Sequence, residues 1–278
     1  MKKLYVNLKR FDVPAELGGV NRLAPAEDWA KYIIDTVSEK LAQYPTDLAE
    51  FTMFFPEAHI LSAVGAAGKD SRLKVGCQGV YREDVTPGGN FGAFTTNRPA
   101  AAAKATGCKT AIIGHCEERR DFTDLLTAAG CDNTSAVNSI LNQEILCASK
   151  QGLSILYCIG ETAEQKENWQ EVLREQLHVG LQDVPRDQIT IAYEPVWAIG
   201  PGKTPPDRDA ISEIAQFIKA ETNNLPLVYG GGLKADNANM LASIPEIDGG
   251  LIALTRFAGE IGFYPEEYLE ILSLYLGQ

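Results

Sequence analysis

Eight times along this chain a short apolar run is followed by a longer amphipathic segment. The apolar runs span residues 4–6, 48–54, 73–78, 110–113, 153–159, 188–193, 227–229 and 250–254. They are almost continuously apolar, as strands are when both faces are buried. Helical patterning covers 28–44, 57–68, 99–106, 121–149 with a break near 130–133, 161–179, 208–222, 237–243 and 266–276. A long loop, 81–97, precedes the third of these. Strand–helix alternation of this kind predicts an α/β fold with a parallel sheet. Eight units point to a closed barrel, although periodicity alone does not separate it from an open doubly wound sheet. The chain is long enough for one such barrel or for two ordinary domains, at 278 residues. No composition shift or Pro/Gly/Ser-rich linker divides it, so a single domain over 1–278 is expected.

Charge narrows the partners. There are 25 basic and 37 acidic residues, giving a net charge of −12. That field repels nucleic acid, whereas an anionic metabolite can bind where cations are gathered locally. Six cysteines stand at 77, 108, 116, 131, 147 and 158, without CxxC pairs or metal-ligand spacing. They read as reduced thiols of a cytoplasmic protein. The apolar run after Met1-Lys2-Lys3 is too short for a secretory leader. No stretch has the length of a membrane span, so no membrane partner is expected.

Four segments carry chemistry. In IAYEPVWAIGPGKTPPD, 191–207, a strand delivers Glu194 at its carboxyl end and Pro195 stops it. The apolar loop that follows, with Trp197 and Ile199 ahead of Gly200, Pro201 and Gly202, reads either as a lid over a ligand or as a buried structural loop. In IIGHCEERR, 112–120, His115 follows a strand and opens a charged segment. At a helix amino terminus the dipole disfavours its protonation and supports a neutral donor; the competing reading is a simple capping histidine. In YVNLK, 5–9, Asn7 and Lys9 project from one face of an extended strand end. There Lys9 either neutralises a developing oxyanion or is merely solvated. In VYGGGLKADN, 228–237, three glycines at a strand end expose N–H groups to an anion or form only a tight turn.

Taken together these segments resemble the triosephosphate isomerase family. YEPVWAIGPGKT at 193–204 looks like its catalytic glutamate and hinged lid, and GHCEERR at 114–120 like its histidine motif. NLK at 7–9, GAFT at 92–95, CIGET at 158–162 and YGG at 229–231 also match, in family order from residue 7 to about 250. The resemblance implies a (β/α)8 TIM barrel and a small phosphorylated sugar as substrate. It implies that Glu194 takes the proton next to a carbonyl and that neutral His115 polarises that carbonyl and shuttles protons between the enediolate oxygens. Lys9 and Asn7 would stabilise the charge, while Gly200, Gly231 and Gly232 would bind the substrate. The 196–203 lid would exclude water, and no metal or organic cofactor is implied. GAFT lies on the family's subunit-contact loop, which implies a homodimer.

The chain also departs from the family pattern. A Gly-Gly phosphate cradle closes the family's eighth strand, whereas here Ala253, Leu254, Thr255, Arg256 and Phe257 follow. Arg256 is expected either to supply a new phosphate contact or to be an ordinary surface residue. Gly232 and Cys116 stand in place of serines, Asn97 in place of a glutamate, and one extra residue leaves Glu117 or Glu118 as the family's glutamate. Stretches 11–25 and 84–91 are longer than usual. Triose phosphates are the expected substrates. The alternatives are the same chemistry on a tetrulose phosphate, or a noncatalytic sugar-phosphate sensor, which retention of all four polar residues argues against.

Overall fold

A computed structural model describes residues 1–131, 134–200 and 203–277. Eight strands, β1 (Lys2–Asn7), β2 (Ala49–Phe55), β3 (Leu73–Cys77), β4 (Thr110–Ile113), β5 (Ser154–Ile159), β6 (Ile189–Tyr193), β7 (Leu227–Tyr229) and β8 (Gly249–Ile252), pair in sequence order. Every pair is parallel, and β8 returns to β1 in the register Lys3↔Gly249 to Val6↔Ile252. The sheet is therefore a closed barrel with no free edge.

Strand alternation sorts the side chains. Tyr5, Phe54, Ile112, Leu156, Cys158, Ala192, Val228 and Leu251 form one buried cluster drawn from seven of the strands. Their neighbours in sequence, such as Leu4, Val6, Ile155 and Tyr157, belong to a separate, larger cluster with the helices. This is the period-two division of a strand buried on both faces. The helices are α1 (Ala26–Ala42), α2 (Ile60–Ala67), α3 (Ala100–Ala105), α4 (Cys116–Ala128), α5 (Thr134–Lys150), α6 (Trp169–Gly180), α7 (Arg208–Thr222), α8 (Ala238–Ala242) and α9 (Pro265–Leu276). In α1 the buried residues Trp29, Ala30, Ile33, Ile34, Val37 and Leu41 recur at helical spacing. Asp207 caps α7 by accepting the Ala210 N–H at 2.9 Å.

Three differences from the sequence reading have an identifiable contact behind them. The helix expected over 161–179 begins only at Trp169, after a 3-10 turn at Lys166–Asn168. Glu161 is drawn inward instead, accepting from Tyr193 Oη at 3.0 Å and Trp197 Nε1 at 2.7 Å. The helical stretch expected from 121 starts earlier, at Cys116, because His115 caps it. Its expected break at 130–133 includes Asp132 and Asn133, which lie outside the described residues. Finally, β8 ends at Ile252 rather than 254. The chain then folds back, with Thr255 and Arg256 N–H groups donating to Gly262 O at 3.1 Å.

Candidate active site

Parallel strands open at one end of the barrel, and the loops there converge on a cleft of about 450 Å³. Asn7, Lys9, His115, Glu194, Gly200, Gly231 and Gly232 all line it. Seven of the eight residues singled out from sequence thus come together, although they leave four different strands.

Glu194 follows β6 and is only 2% exposed. Its Oε2 accepts the Cys116 N–H at 2.9 Å, and its Oε1 lies 3.4 Å from His115 Nε2. Burial raises its pKa, against the opposing pull of His115, the Cys116 N–H and Lys9. Gly230 is required beside it, since a Cβ there would stand 2.7 Å from Glu194 Cγ. His115 is placed by Gly114, whose φ of 79° turns the chain out of β4. As N-cap of α4, its Nδ1 accepts the Glu117 N–H at 3.3 Å. An accepting Nδ1 leaves Nε2 as the protonated nitrogen of a neutral ring, and Nε2 is the one that meets Glu194.

Asn7 closes β1, and Lys9 adopts a φ of 41°, so the two reach the cleft through a turn rather than along an extended strand. Asn7 Oδ1 accepts the Lys9 N–H at 3.0 Å. Gln78 Nε2 ties the same corner together, donating to Lys9 O at 2.9 Å and less closely to Asn7 Oδ1 and Phe54 O at 3.3 Å. Lys9 Nζ pairs with Glu117 Oε1 at 2.9 Å. The other candidate glutamate, Glu118, turns away and accepts the Gly114 N–H at 2.6 Å.

Arg256 is the exception. Its guanidinium Nε and Nη2 bond Glu267 Oε1 at 2.8 and 2.5 Å, and it stacks 3.8 Å from the Tyr264 ring centroid. Thr255 Oγ1 donates to the other Glu267 oxygen at 2.8 Å. The expectation that Arg256 faces the ligand assumed a strand continuing past Ile252. Because the chain turns there, Ala253, Leu254 and Phe257 line the cleft and Arg256 does not.

Two supporting groups escaped the sequence reading. Arg119 braces the turn carrying His115, donating to Gly114 O and Tyr157 Oη at 2.9 Å and to Asn138 Oδ1 at 2.8 Å. Its only signal was a place in a charged segment. Glu144, 3% exposed on α5, has its carboxyl pushed up by burial and then by the neighbouring Glu118. An acidic residue inside the apolar face of a helix was the clue. Both carboxyls border a second cavity of about 490 Å³ that also touches Asn7, Lys9 and His115, with Arg82, Asn97 and Arg98 on its walls.

The loop after Glu194 forms a 3-10 turn, Val196–Ala198. Trp197 is clasped between Glu161 and Lys166, whose Nζ stands 3.6 Å from its ring centroid. Pro201 and Gly202, the lid's second hinge in the sequence reading, lie outside the described residues. Among the described residues one trio of metal-ligand types meets here, with ligand atoms of His115, Cys116 and Glu194 within 4.8 Å of one another. Burial pushes the Cys116 thiol up to about 12, so it is protonated at neutral pH.

The chain matches the family model for triosephosphate isomerase over residues 26–260. The curated triosephosphate isomerase of Chloroherpeton thalassium is 33% identical over 217 residues, 73% of this chain and 76% of that protein. That of Marinobacter nauticus is 32% identical over 257 residues, covering 88% and 91%. A crystal structure of triosephosphate isomerase from Bartonella henselae superposes with a TM-score of 0.69 over 99% of this chain and 98% of that one. At 24% identity, that likeness speaks for the fold.

The burial of Glu144 beside Glu118 makes stability depend on pH. Glu144 is pushed up to about 10 from 4.5, first by burial and then by Glu118. The folded chain keeps a proton there that the unfolded chain releases. The stability this contributes is complete below about pH 4.5 and is lost as pH rises towards about 10. Glu144→Gln is neutral throughout and removes that slope. In urea denaturation at about pH 5, 7 and 9 the variant should gain on wild type as pH rises. Parallel profiles would show that Glu144 is already ionised in the folded chain.

Proposed function

The chain belongs to the triosephosphate isomerase family, and we infer that it interconverts dihydroxyacetone phosphate and glyceraldehyde 3-phosphate through an enediolate. One observation carries this reading: the buried Glu194 carboxyl and the His115 imidazole stand 3.4 Å apart in a cleft that also holds Lys9 and Asn7. A base, an electrophile and a cation are the set that proton abstraction beside a carbonyl requires.

Glu194 leaves the Cys116 N–H and removes a proton from the carbon next to the substrate carbonyl. Its raised pKa makes it a stronger base than a solvated carboxylate while keeping it able to return the proton. His115 Nε2–H polarises the carbonyl and passes protons between the two enediolate oxygens. On giving its Nε2 proton to one enediolate oxygen the neutral ring becomes an imidazolate, which then regains a proton from the hydroxyl on the other carbon. Lys9 and Asn7 stabilise the negative charge as it develops. N–H groups of Gly200, Gly231 and Gly232 bind the phosphate end. The loop from Val196 to Lys203 closes over the ligand and keeps water from the intermediate. The reaction moves only protons, so its chemistry calls for no cofactor.

The same reading makes the protein a homodimer. The tip of the 81–97 loop carries Phe91, which is 87% exposed. An apolar tip of that kind suits insertion into a second copy. The cavity bordered by Glu118 and Glu144 adjoins Asn7 and Lys9, so a docked loop would stiffen the site. The six thiols are free, which fits the cytoplasm. Among the described residues no helix is long and apolar enough to cross a membrane.

Two measurements test the reading. Glu194→Asp draws the carboxylate back by one methylene, and turnover should fall by about a hundredfold with unchanged circular dichroism. Near-normal turnover would remove Glu194 from the base role. Light scattering should give twice the chain mass at micromolar concentration. Phe91→Asp should shift that equilibrium towards monomer and lower activity with it. A fully active monomeric wild type would overturn the dimer.

A further inference from the structure

In a protein with a net charge of −12, a cation free of carboxylates is a strong local draw for an anion. Three cations line the cleft: Lys9, Arg120 and Lys234. Lys9 is committed to Glu117 at 2.9 Å, and the exposed Arg120 belongs to α4, three residues on from that glutamate. Lys234 stands elsewhere, in the connection from β7 to α8, and forms no ion pair among the described residues. Its Nζ lies 4.3 Å from the Phe257 ring centroid. A cation–π contact orients an ammonium without neutralising it, because the ring carries no net charge. The backbone is held as firmly. The Lys234 N–H donates to Asn237 Oδ1 at 2.8 Å, and Asn237 Nδ2 returns to Gly232 O at 2.9 Å.

Spacing relates this ammonium to the base. Gly230 abuts Glu194, whereas a Cβ on Gly232 would lie 3.6 Å from Lys234 Cε. Two residues of extended chain span at most about 7 Å. A three-carbon chain with a terminal phosphate bridges that interval, placing a carbon at Glu194 and the phosphate among Gly231, Gly232 and Lys234. Leu254 and Phe257 supply apolar surface on the same cleft, which strengthens an ion pair formed there.

We propose that Lys234 is a substrate-binding residue whose ammonium pairs with the phosphate of the sugar phosphate, held over Phe257 for that purpose. The identity of the ligand rests on the isomerase reading, but the anion contact can be measured without turnover. Inorganic phosphate is titrated calorimetrically into wild type, Lys234→Gln and Lys234→Arg, and KM and kcat are measured for glyceraldehyde 3-phosphate. Lys234→Gln should weaken phosphate binding by roughly tenfold or more and raise KM in proportion. The turnover number should change less, since the contact is shared by ground and transition states. Lys234→Arg should recover most of the affinity. In wild type, phosphate should protect Lys234 from acetylation, read by mass spectrometry, which needs no variant to fold. Unchanged phosphate affinity in Lys234→Gln, or acetylation of Lys234 indifferent to phosphate, would overturn the assignment. A wild type that binds phosphate through Lys234 but isomerises no triose phosphate would leave the assignment standing and sink the isomerase reading instead.

Discussion

The backbone hydrogen bonds between β8 and β1 close the sheet, and the position of every site residue follows from that closure. A parallel barrel brings the carboxyl ends of all its strands to one rim. Asn7 leaves β1, His115 follows β4, Glu194 follows β6 and the glycines follow β7. In an open sheet of the same strand order, β1 would lie at one edge and β6 several strands away. Closure also explains the absence of polar alternation in the strands, because one face packs into the barrel and the other against helices.

At the rim, the amino terminus of α4 does two jobs. The Cys116 N–H holds the Glu194 carboxylate, and the next free N–H, that of Glu117, holds His115 Nδ1. Helix termini leave such donors unpaired, and here both are spent on the two groups proposed to exchange protons. The positive end of the helix dipole favours the Glu194 carboxylate that faces it. Arg119 fixes the turn from behind, so the geometry of the pair is set by backbone and buried polar contacts. Cys116 in place of a serine leaves this arrangement intact, since the backbone N–H carries it.

Much of this was legible in the sequence, for reasons of range. The helix at Arg208–Thr222 and the strands at Thr110–Ile113 and Leu227–Tyr229 declare themselves through local periodicity and caps. Asn7, Lys9, His115 and Glu194 stand in motifs of contiguous residues. What failed depended on contacts distant in sequence. Glu161 reads as helical until Trp197 and Tyr193 claim its carboxylate. Leu254 prolongs an apolar run, but the pairing of Arg256 with Glu267 shows that the chain has already turned. Glu118 on α4 and Glu144 on α5 are brought together by the fold, and the one local trace of this is an acidic residue inside the apolar face of α5. Lys234 was not singled out from the sequence, because the Phe257 ring beside it is distant along the chain.

The central claim is that Glu194 carries the proton between the two carbons of the substrate. Its most direct test is deuterium entry from heavy water into dihydroxyacetone phosphate, followed by nuclear magnetic resonance with wild type and Glu194→Gln. A carboxylate that takes a carbon-bound proton and exchanges it with solvent puts deuterium on that carbon, whereas the amide can do neither. Wild type should label the carbon next to the carbonyl, and Glu194→Gln should give no labelling above buffer. Labelling by Glu194→Gln at the wild-type rate would place the base elsewhere and contradict the claim.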